Sequence, residues 1–181
     1  MRLMAFLVLL TVGVAIAGCS LGDDLDADLE AARESDELPL YWVGEEFEGL
    51  DITHVEGALS GRSGTFVYGT CEIEGDHGCP PPLQIQIFPL CFHLDVATAN
   101  DRWMRRTIRG APVGMLDSAP LMFTERAQVK VYRGQGSNPG MALRALHALR
   151  SLNLVEPRID AVGPIPPPAP GVLEGTTPCP G

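Results

Sequence analysis

Residues 83–88 read LQIQIF, and this short stretch decides the class of fold. Its leucine and two isoleucines alternate with two glutamines, and a phenylalanine follows. Successive side chains of a β-strand point to opposite faces of a sheet, so the apolar residues share one face and the amides share the other. Strict alternation is typical of a strand that buries a single face. The stretch therefore predicts a half-buried β-strand.

A second strand is expected just upstream, over residues 65–73 (TFVYGTCEI), where β-branched and aromatic residues are frequent. Residues 74–82 (EGDHGCPPP) separate the two strands and contain two glycines and three prolines. This composition is typical of a turn region. We therefore expect the two strands to pair as a hairpin.

Three further strands are expected downstream. Residues 108–116 (IRGAPVGML) predict a strand that Gly110 and Pro112 interrupt. Residues 121–124 and 127–132 predict the two strands of a second hairpin. With the first hairpin, these segments predict a small antiparallel sheet of about five strands.

The clearest helix is expected over residues 139–152. Asn138 is suited to cap its first turn, and Pro139 is suited to its first position. Its apolar face is expected to consist of Ala142, Ala145, Leu146, Leu149 and Leu152. Residues 95–106 (DVATANDRWMRR) predict a shorter helix. A C-terminal helix that packs on one face of an antiparallel sheet gives an α+β fold.

The flanks of this domain differ from it in composition. Residues 19–37 begin at Cys19 and carry eight acidic residues against Arg33 alone, which predicts a flexible, extended tether. Residues 38–156 form the predicted globular domain. Residues 157–181 hold eight of the 16 prolines and predict an extended Pro-rich tail.

The overall charge narrows the classes of partner. The chain has a net charge of −10 at pH 7, with 13 basic and 23 acidic residues. Nucleic-acid binding requires clustered lysine and arginine, so we expect no nucleic-acid partner. The net negative charge also disfavours electrostatic attraction to anionic lipid headgroups.

The N-terminal 18 residues have the layout of a signal peptide. Arg2 precedes an apolar run over residues 3–17, and small residues follow. The run is shorter than the ~20 residues that a membrane-spanning helix needs. Ile16-Ala17-Gly18-Cys19 resembles the lipobox of bacterial lipoproteins.

The lipobox resemblance implies a location for the protein. In that family the cysteine is lipidated and becomes the first residue of the mature chain, which here is Cys19. The expected partner of this residue is the cell membrane, through a lipid anchor on the extracytoplasmic face. The rest of the chain is similar to small uncharacterised exported proteins of high-G+C bacteria. That likeness lies in YGTCE at 68–72, in the turn and strand at 78–86, and in ALHALRSLN at 145–153.

Four cysteines remain when Cys19 is assigned to the lipid: Cys71, Cys79, Cys91 and Cys179. An even number in an exported protein favours two disulfides, with three possible pairings. We favour Cys71–Cys79, which would clamp the first hairpin, and Cys91–Cys179. The second bridge would strap the Pro-rich tail across the domain.

Metal binding and thiol catalysis by these cysteines are less favoured than disulfides. Cys71, Cys79 and Cys91 lie near His77 and His93 in the sequence, but the spacing contains no C-x₂-C pair, so we assign no metal ligands. Cys91 with His93 is the alternative of a thiol nucleophile.

The remaining basic cluster consists of Arg102, Arg105, Arg106 and Arg109. The cluster is suited to bind a carboxylate or phosphate ligand. We favour instead an exposed helix face whose arginines pair with acidic residues of the chain. We assign no catalytic residues and no cofactor. The sequence thus favours a non-enzymatic, membrane-anchored binding or envelope domain. The alternatives are a thiol- or metal-dependent hydrolase and a carrier of a small apolar ligand between sheet and helix.

Overall fold

A large antiparallel β-sheet forms the framework of the chain. The computed structural model describes residues 21–57, 62–70, 80–92, 94, 106–134, 137–155 and 157–179. The strands are β1 (Tyr41–Trp42), β2 (Glu46–Phe47), β3 (Leu50–Glu56), β4 (Gly64–Tyr68), β5 (Leu83–Pro89), β6 (Arg106–Ile108), β7 (Ala111–Leu116), β8 (Ala119–Phe123), β9 (Ala127–Arg133) and β10 (Arg150–Ser151). Their order in the main sheet is β2-β3-β4-β5-β9-β8-β7-β6, and β1 pairs separately with β10. With the helices α1 (Leu21–Glu34) and α2 (Met141–Ala148), this architecture confirms the α+β class.

The main sheet has eight strands within the described ranges, so the prediction of about five was wrong. The hairpins β4–β5 and β8–β9 are confirmed. The hairpin β2–β3 was not expected, and residues 108–116 do not form one interrupted strand. They turn back at Arg109-Gly110, which separates β6 from β7. The predicted helix over residues 95–106 lies outside the described residues except for Arg106, the first residue of β6.

Three hairpins share one kind of turn, with two loop residues that both have positive φ. These turns are Glu48-Gly49, Arg109-Gly110 and Asp117-Ser118. Positive φ at both positions is the pattern of type I′ turns, whose twist matches that of the paired strands. In each turn the first residue is charged, and its side chain contacts another part of the fold. Glu48, for example, accepts hydrogen bonds from Arg144 of α2 over 2.5 and 2.8 Å, which lowers the pKa of its carboxyl group.

Helix α2 covers one face of β8 and β9, as the apolar pattern predicted. It begins at Met141 rather than at Pro139, because Gly140 occupies the cap position with φ of 81° and supplies no side-chain hydrogen bond. The predicted cap by Asn138 was therefore wrong. The helix ends at Ala148, because the chain becomes extended at Leu149 and enters β10.

The acidic segment before residue 38 is not an extended tether, so that prediction was wrong. Residues 21–34 form α1, and its contacts are with β3. Leu25, Leu29 and Ala32 lie at helical spacing and pack into the main core, with Leu29 and Ala32 buried. This apolar stripe outweighs the repulsion among the acids, of which Asp26, Glu30 and Glu34 are exposed. Neither α1 nor α2 is long and apolar enough to cross a membrane, and the described ranges contain no other helix that is.

The Pro-rich segment was predicted to be an extended tail, but it contains turns at residues 170–175 and is packed against the domain. Ile159 and Ile165 are buried in the main core. Val172 is buried in a second, smaller core on the other face of the sheet, with Leu121 and Phe123 of β8. The segment therefore covers part of the sheet face that α2 leaves open.

The C-terminal end of α2 is held by Arg109 in the β6–β7 turn. Its guanidinium donates hydrogen bonds to the carbonyl oxygens of His147, Leu149, Asp160 and Gly163. Partial burial lowers the pKa of Arg109, and the charge of Asp160 opposes that shift. This set of contacts, called here the arginine clamp, joins α2 to residues 157–165.

A buried amide fixes the chain that follows the same helix. Asn153 is 2% exposed, and its Oδ1 accepts a hydrogen bond from the backbone N–H of Leu40 over 3.0 Å. Its Nδ2 donates to the carbonyl oxygens of Ser35 and Leu38 over 2.9 and 2.8 Å. The segment after α2 is therefore tied to the segment after α1.

Candidate functional site

An open cavity lies between the first turn of α2 and strands β7 and β8. Its volume is about 250 Å³. Val113 and Met115 of β7 and Pro120 of β8 contribute apolar surface, and Leu143 of α2 contributes the opposite wall. Arg106 and Arg133 also line it. We call this cavity the α2 groove.

The strand order explains how these residues meet. Alternate residues of a strand share a face, so Val113 and Met115 both point to the side of the sheet that α2 covers. Met115 pairs directly with Pro120 on β8. At position 142 of α2 the side chain is only a methyl group, which leaves space between the helix and the strands.

A second cavity of about 270 Å³ adjoins the groove. The two cavities share Pro120, Arg133 and Ala142 as lining residues. Asp117 and Tyr132 are among the other residues that line the second cavity. Together the two cavities form a continuous depression beside α2.

The α2 groove is positively charged. Arg106 lies on β6 and Arg133 ends β9, so the two arginines approach from opposite sides of β7 and β8. Arg106 makes no hydrogen bond or ion pair within the part of the chain that the structure describes, and Arg133 donates only to the carbonyl oxygen of Ser137 over 3.4 Å. None of the described residues that line the groove is acidic. In a chain with a net charge of −10, this local surplus favours an anionic ligand.

The nearby acid is already paired. Asp117 accepts a hydrogen bond from the Nζ of Lys130 over 3.0 Å. Lys130 also lies over the ring of Tyr132, with 4.5 Å between Nζ and the ring centroid. Asp117 therefore neutralises Lys130 and leaves the arginines of the groove without a carboxylate.

The structure contains the predicted disulfide between Cys91 and Cys179, which joins residues 88 positions apart. Cys91 is therefore not a free thiol, and the alternative of a Cys91 nucleophile is contradicted. The bridge lies beside the second core, against which Cys91 packs. The favoured Cys71–Cys79 pairing, His77, His93 and the predicted lipidation site Cys19 lie outside the described residues.

The two described histidines do not form a site. His54 is exposed, and its Nε2 lies 3.2 Å from a carboxylate oxygen of Glu56. His147 is exposed on α2. Among the residues that the structure describes, no group of three or more His, Cys, Asp or Glu residues is arranged to hold a metal ion.

The predicted arginine cluster is divided between two roles. Arg106 lines the α2 groove, and Arg109 forms the arginine clamp. Arg102 and Arg105 lie outside the described residues. Arg133 was not a candidate in the sequence, because its role depends on the strand pairings that place β9, β8 and β7 in that order across the sheet.

No protein-family model, curated protein or solved structure matches this chain. The candidate site therefore rests on its own geometry. That geometry offers an apolar floor, two cationic side chains and an opening to solvent, which is the composition of a binding site.

Proposed function

We propose that this chain is an exported, lipid-anchored binding protein of the bacterial envelope. Its N-terminal anchor is the lipidated Cys19, and its folded domain presents the α2 groove to a ligand outside the cytoplasm. The protein acts by binding and not by catalysis.

The α2 groove is the observation that carries this proposal. Its side chains supply apolar contact and positive charge, but within the described residues they include no nucleophile paired with a base. The same composition supports the sequence-based alternative of a carrier for a small ligand held between sheet and helix.

The disulfide supports the extracytoplasmic location. Bridges such as Cys91–Cys179 persist in oxidising compartments and are rare where thiols are kept reduced. Helix α1 supports the mode of attachment, because it begins at Leu21, directly after the lipobox cysteine and one further residue. A lipid at Cys19 would thus hold the packed domain close to the membrane surface.

Membrane fractionation of two variants tests the anchor. We expect the wild-type chain to be processed and to remain with membranes, whereas Cys19→Ser should be released or stay uncleaved. Ser20→Ala, which leaves the lipobox cysteine intact, is the matched control and should behave as wild type. A processed Cys19→Ser protein that still fractionates with membranes would contradict the proposal.

A further inference from the structure

We infer that the ligand of the α2 groove is a small monocarboxylate with a short apolar chain. This inference rests on the proposed binding function and adds to it the class of ligand. It follows from the size of the groove, its apolar floor and the placement of its two arginines.

Arg133 is the expected partner of the carboxylate. It is shared by the two adjoining cavities, and only one of its nitrogens, Nη1, donates a hydrogen bond in the described structure. The remaining N–H groups of its guanidinium are geometrically suited to a bidentate carboxylate contact. Arg106, across β7 and β8, adds positive potential from the other side of the groove.

The apolar part of the ligand has a defined place and size. Val113 and Met115 form the floor, and Leu143, which is 44% exposed, forms an apolar wall. A volume of about 250 Å³ accommodates a small ligand, and the short floor favours a short apolar chain. Hexanoate combines one carboxylate with such a chain and serves as the probe.

The N-terminal end of α2 reinforces the same preference. Its cap residue, Gly140, lines the groove and has no side chain with which to satisfy the first-turn amides. The first turn also carries no acidic residue. The positive end of the helix dipole therefore adds to the field of the two arginines.

Titration of the purified full chain with three probes tests the inference. We expect hexanoate to bind in the millimolar range, as observed by calorimetry or ligand-detected NMR, and to bind at least ~10-fold more tightly than hexanamide, its neutral analogue. Inorganic phosphate, which lacks the apolar chain, should bind more weakly than hexanoate. Equal binding of hexanamide, or tighter binding of phosphate, would overturn the assignment.

Two variants locate the probe in the groove. Arg133→Gln should weaken hexanoate binding about 10-fold and leave hexanamide unaffected. Leu143→Glu places a carboxylate on the rim at an exposed helical position, so it should abolish hexanoate binding without loss of thermal stability. Arg62→Gln, at an exposed arginine far from the groove in sequence, is the matched control. Unchanged hexanoate affinity in Arg133→Gln and Leu143→Glu would overturn the inference.

The binding and fractionation results together distinguish a wrong ligand assignment from a wrong proposed function. If hexanoate fails to bind while Cys19 is lipidated and required for membrane attachment, the assigned ligand class is wrong and the anchored protein stands. A dimer that Leu143→Glu dissociates would assign the groove to a second copy of the chain and overturn the ligand. Hexanoate binding by a protein that lacks a lipid at Cys19 would support the ligand and refute the anchor.

Discussion

The ammonium group of Lys130 lies 3.0 Å from a carboxylate oxygen of Asp117, although its side chain is only 4% exposed and that of Asp117 is 75% exposed. Lys130 is the single lysine of the chain and extends from the middle of β9 to the β7–β8 turn. A buried ammonium needs a counter-charge or hydrogen-bond acceptors, and Asp117 provides one from the surface. The turn thus neutralises a buried charge on an interior strand of the sheet.

Replacement of Asp117 should destabilise the protein. Asparagine tolerates the positive φ of residue 117, so Asp117→Asn tests the side chain and not the backbone. We expect a loss of about 1 kcal/mol in the free energy of unfolding, because the exposure of Asp117 screens the pair below the value of a fully buried one. Lys130→Met in the Asp117→Asn background should recover part of that loss. Urea unfolding of the four proteins measures the coupling, and additive effects would contradict the pairing.

The Cys91–Cys179 bridge should stabilise the domain strongly. It closes a loop with a sequence separation of 88 residues, for which the chain-entropy model gives about 4–5 kcal/mol. Cys179→Ser should therefore lower the denaturant midpoint, and reductant should do the same to the wild type. The double variant Cys91→Ser/Cys179→Ser is the control and should unfold at the same midpoint as Cys179→Ser. Unfolding that is insensitive to reductant would refute this contribution.

The arginine clamp should not tolerate lysine. Arg109 donates to four carbonyl oxygens from one planar group, a geometry that a single ammonium on a flexible stem does not reproduce. Arg109→Lys should cost about 2–3 kcal/mol and should increase hydrogen exchange over residues 147–165. Arg62→Lys, at an exposed site, should change stability by less than about 0.5 kcal/mol. Equal stability of the two variants would show that the clamp contributes little.

Two buried tyrosines should make the fold sensitive to alkali. Burial raises the pKa of Tyr41 and of Tyr68 above the ordinary value of 10.0. The folded state therefore keeps protons that the unfolded state releases, so stability is complete below about pH 10 and falls as the pH rises above it. The free energy of unfolding should fall by at most about 1.4 kcal/mol per pH unit for each tyrosine. Thermal midpoints measured from pH 8 to pH 11.5 should decrease accordingly.

The same tyrosines differ at neutral pH, and this difference provides the control. Tyr68 Oη donates to the carbonyl oxygen of Gly44 over 3.0 Å and accepts from the N–H of Val43. Tyr41 Oη makes no hydrogen bond of normal geometry among the described residues, because the nearby Thr124 hydroxyl donates to the carbonyl oxygen of Ala127 instead. Tyr41→Phe should therefore preserve stability at pH 7 and reduce the alkaline slope. Tyr68→Phe should cost about 1–2 kcal/mol at pH 7. A wild-type midpoint that is constant to pH 11.5 would contradict the shifted pKa values.

Local patterns predicted the parts of the fold that depend on a single element or on adjacent elements. The alternation in LQIQIF gave β5 and its pairing with β4, because register follows from the buried face. The even cysteine count left three pairings open, and the expectation of a local Cys71–Cys79 bridge favoured Cys91–Cys179, which the structure contains. The turn at Arg109-Gly110 was missed, because a non-glycine residue with positive φ carries a weak sequence signal.

Helix α1 and the α2 groove depend on tertiary packing, which local sequence patterns do not predict. Helix α1 was missed because the acidic composition of the segment is typical of an extended chain. The helical spacing of Leu25, Leu29 and Ala32 stabilises a helix only when β3 provides an apolar surface for them to pack against. The α2 groove was missed because Arg106 and Arg133 are brought to one cavity by the order of β6 to β9. Arg106 belongs to a basic cluster that suits a carboxylate ligand, but Arg133 carries no local signal of this role.

The mass of the mature N-terminal peptide tests the proposed function most directly. If Cys19 is lipidated as proposed and the chain is cleaved before it, digestion of protein purified from membranes should yield a peptide that begins at Cys19 and carries the mass of its acyl chains. The Cys19→Ser chain supplies the comparison and should yield no acylated peptide. A wild-type peptide that retains Met1, or a mature chain that begins at another residue without lipid, would contradict the account.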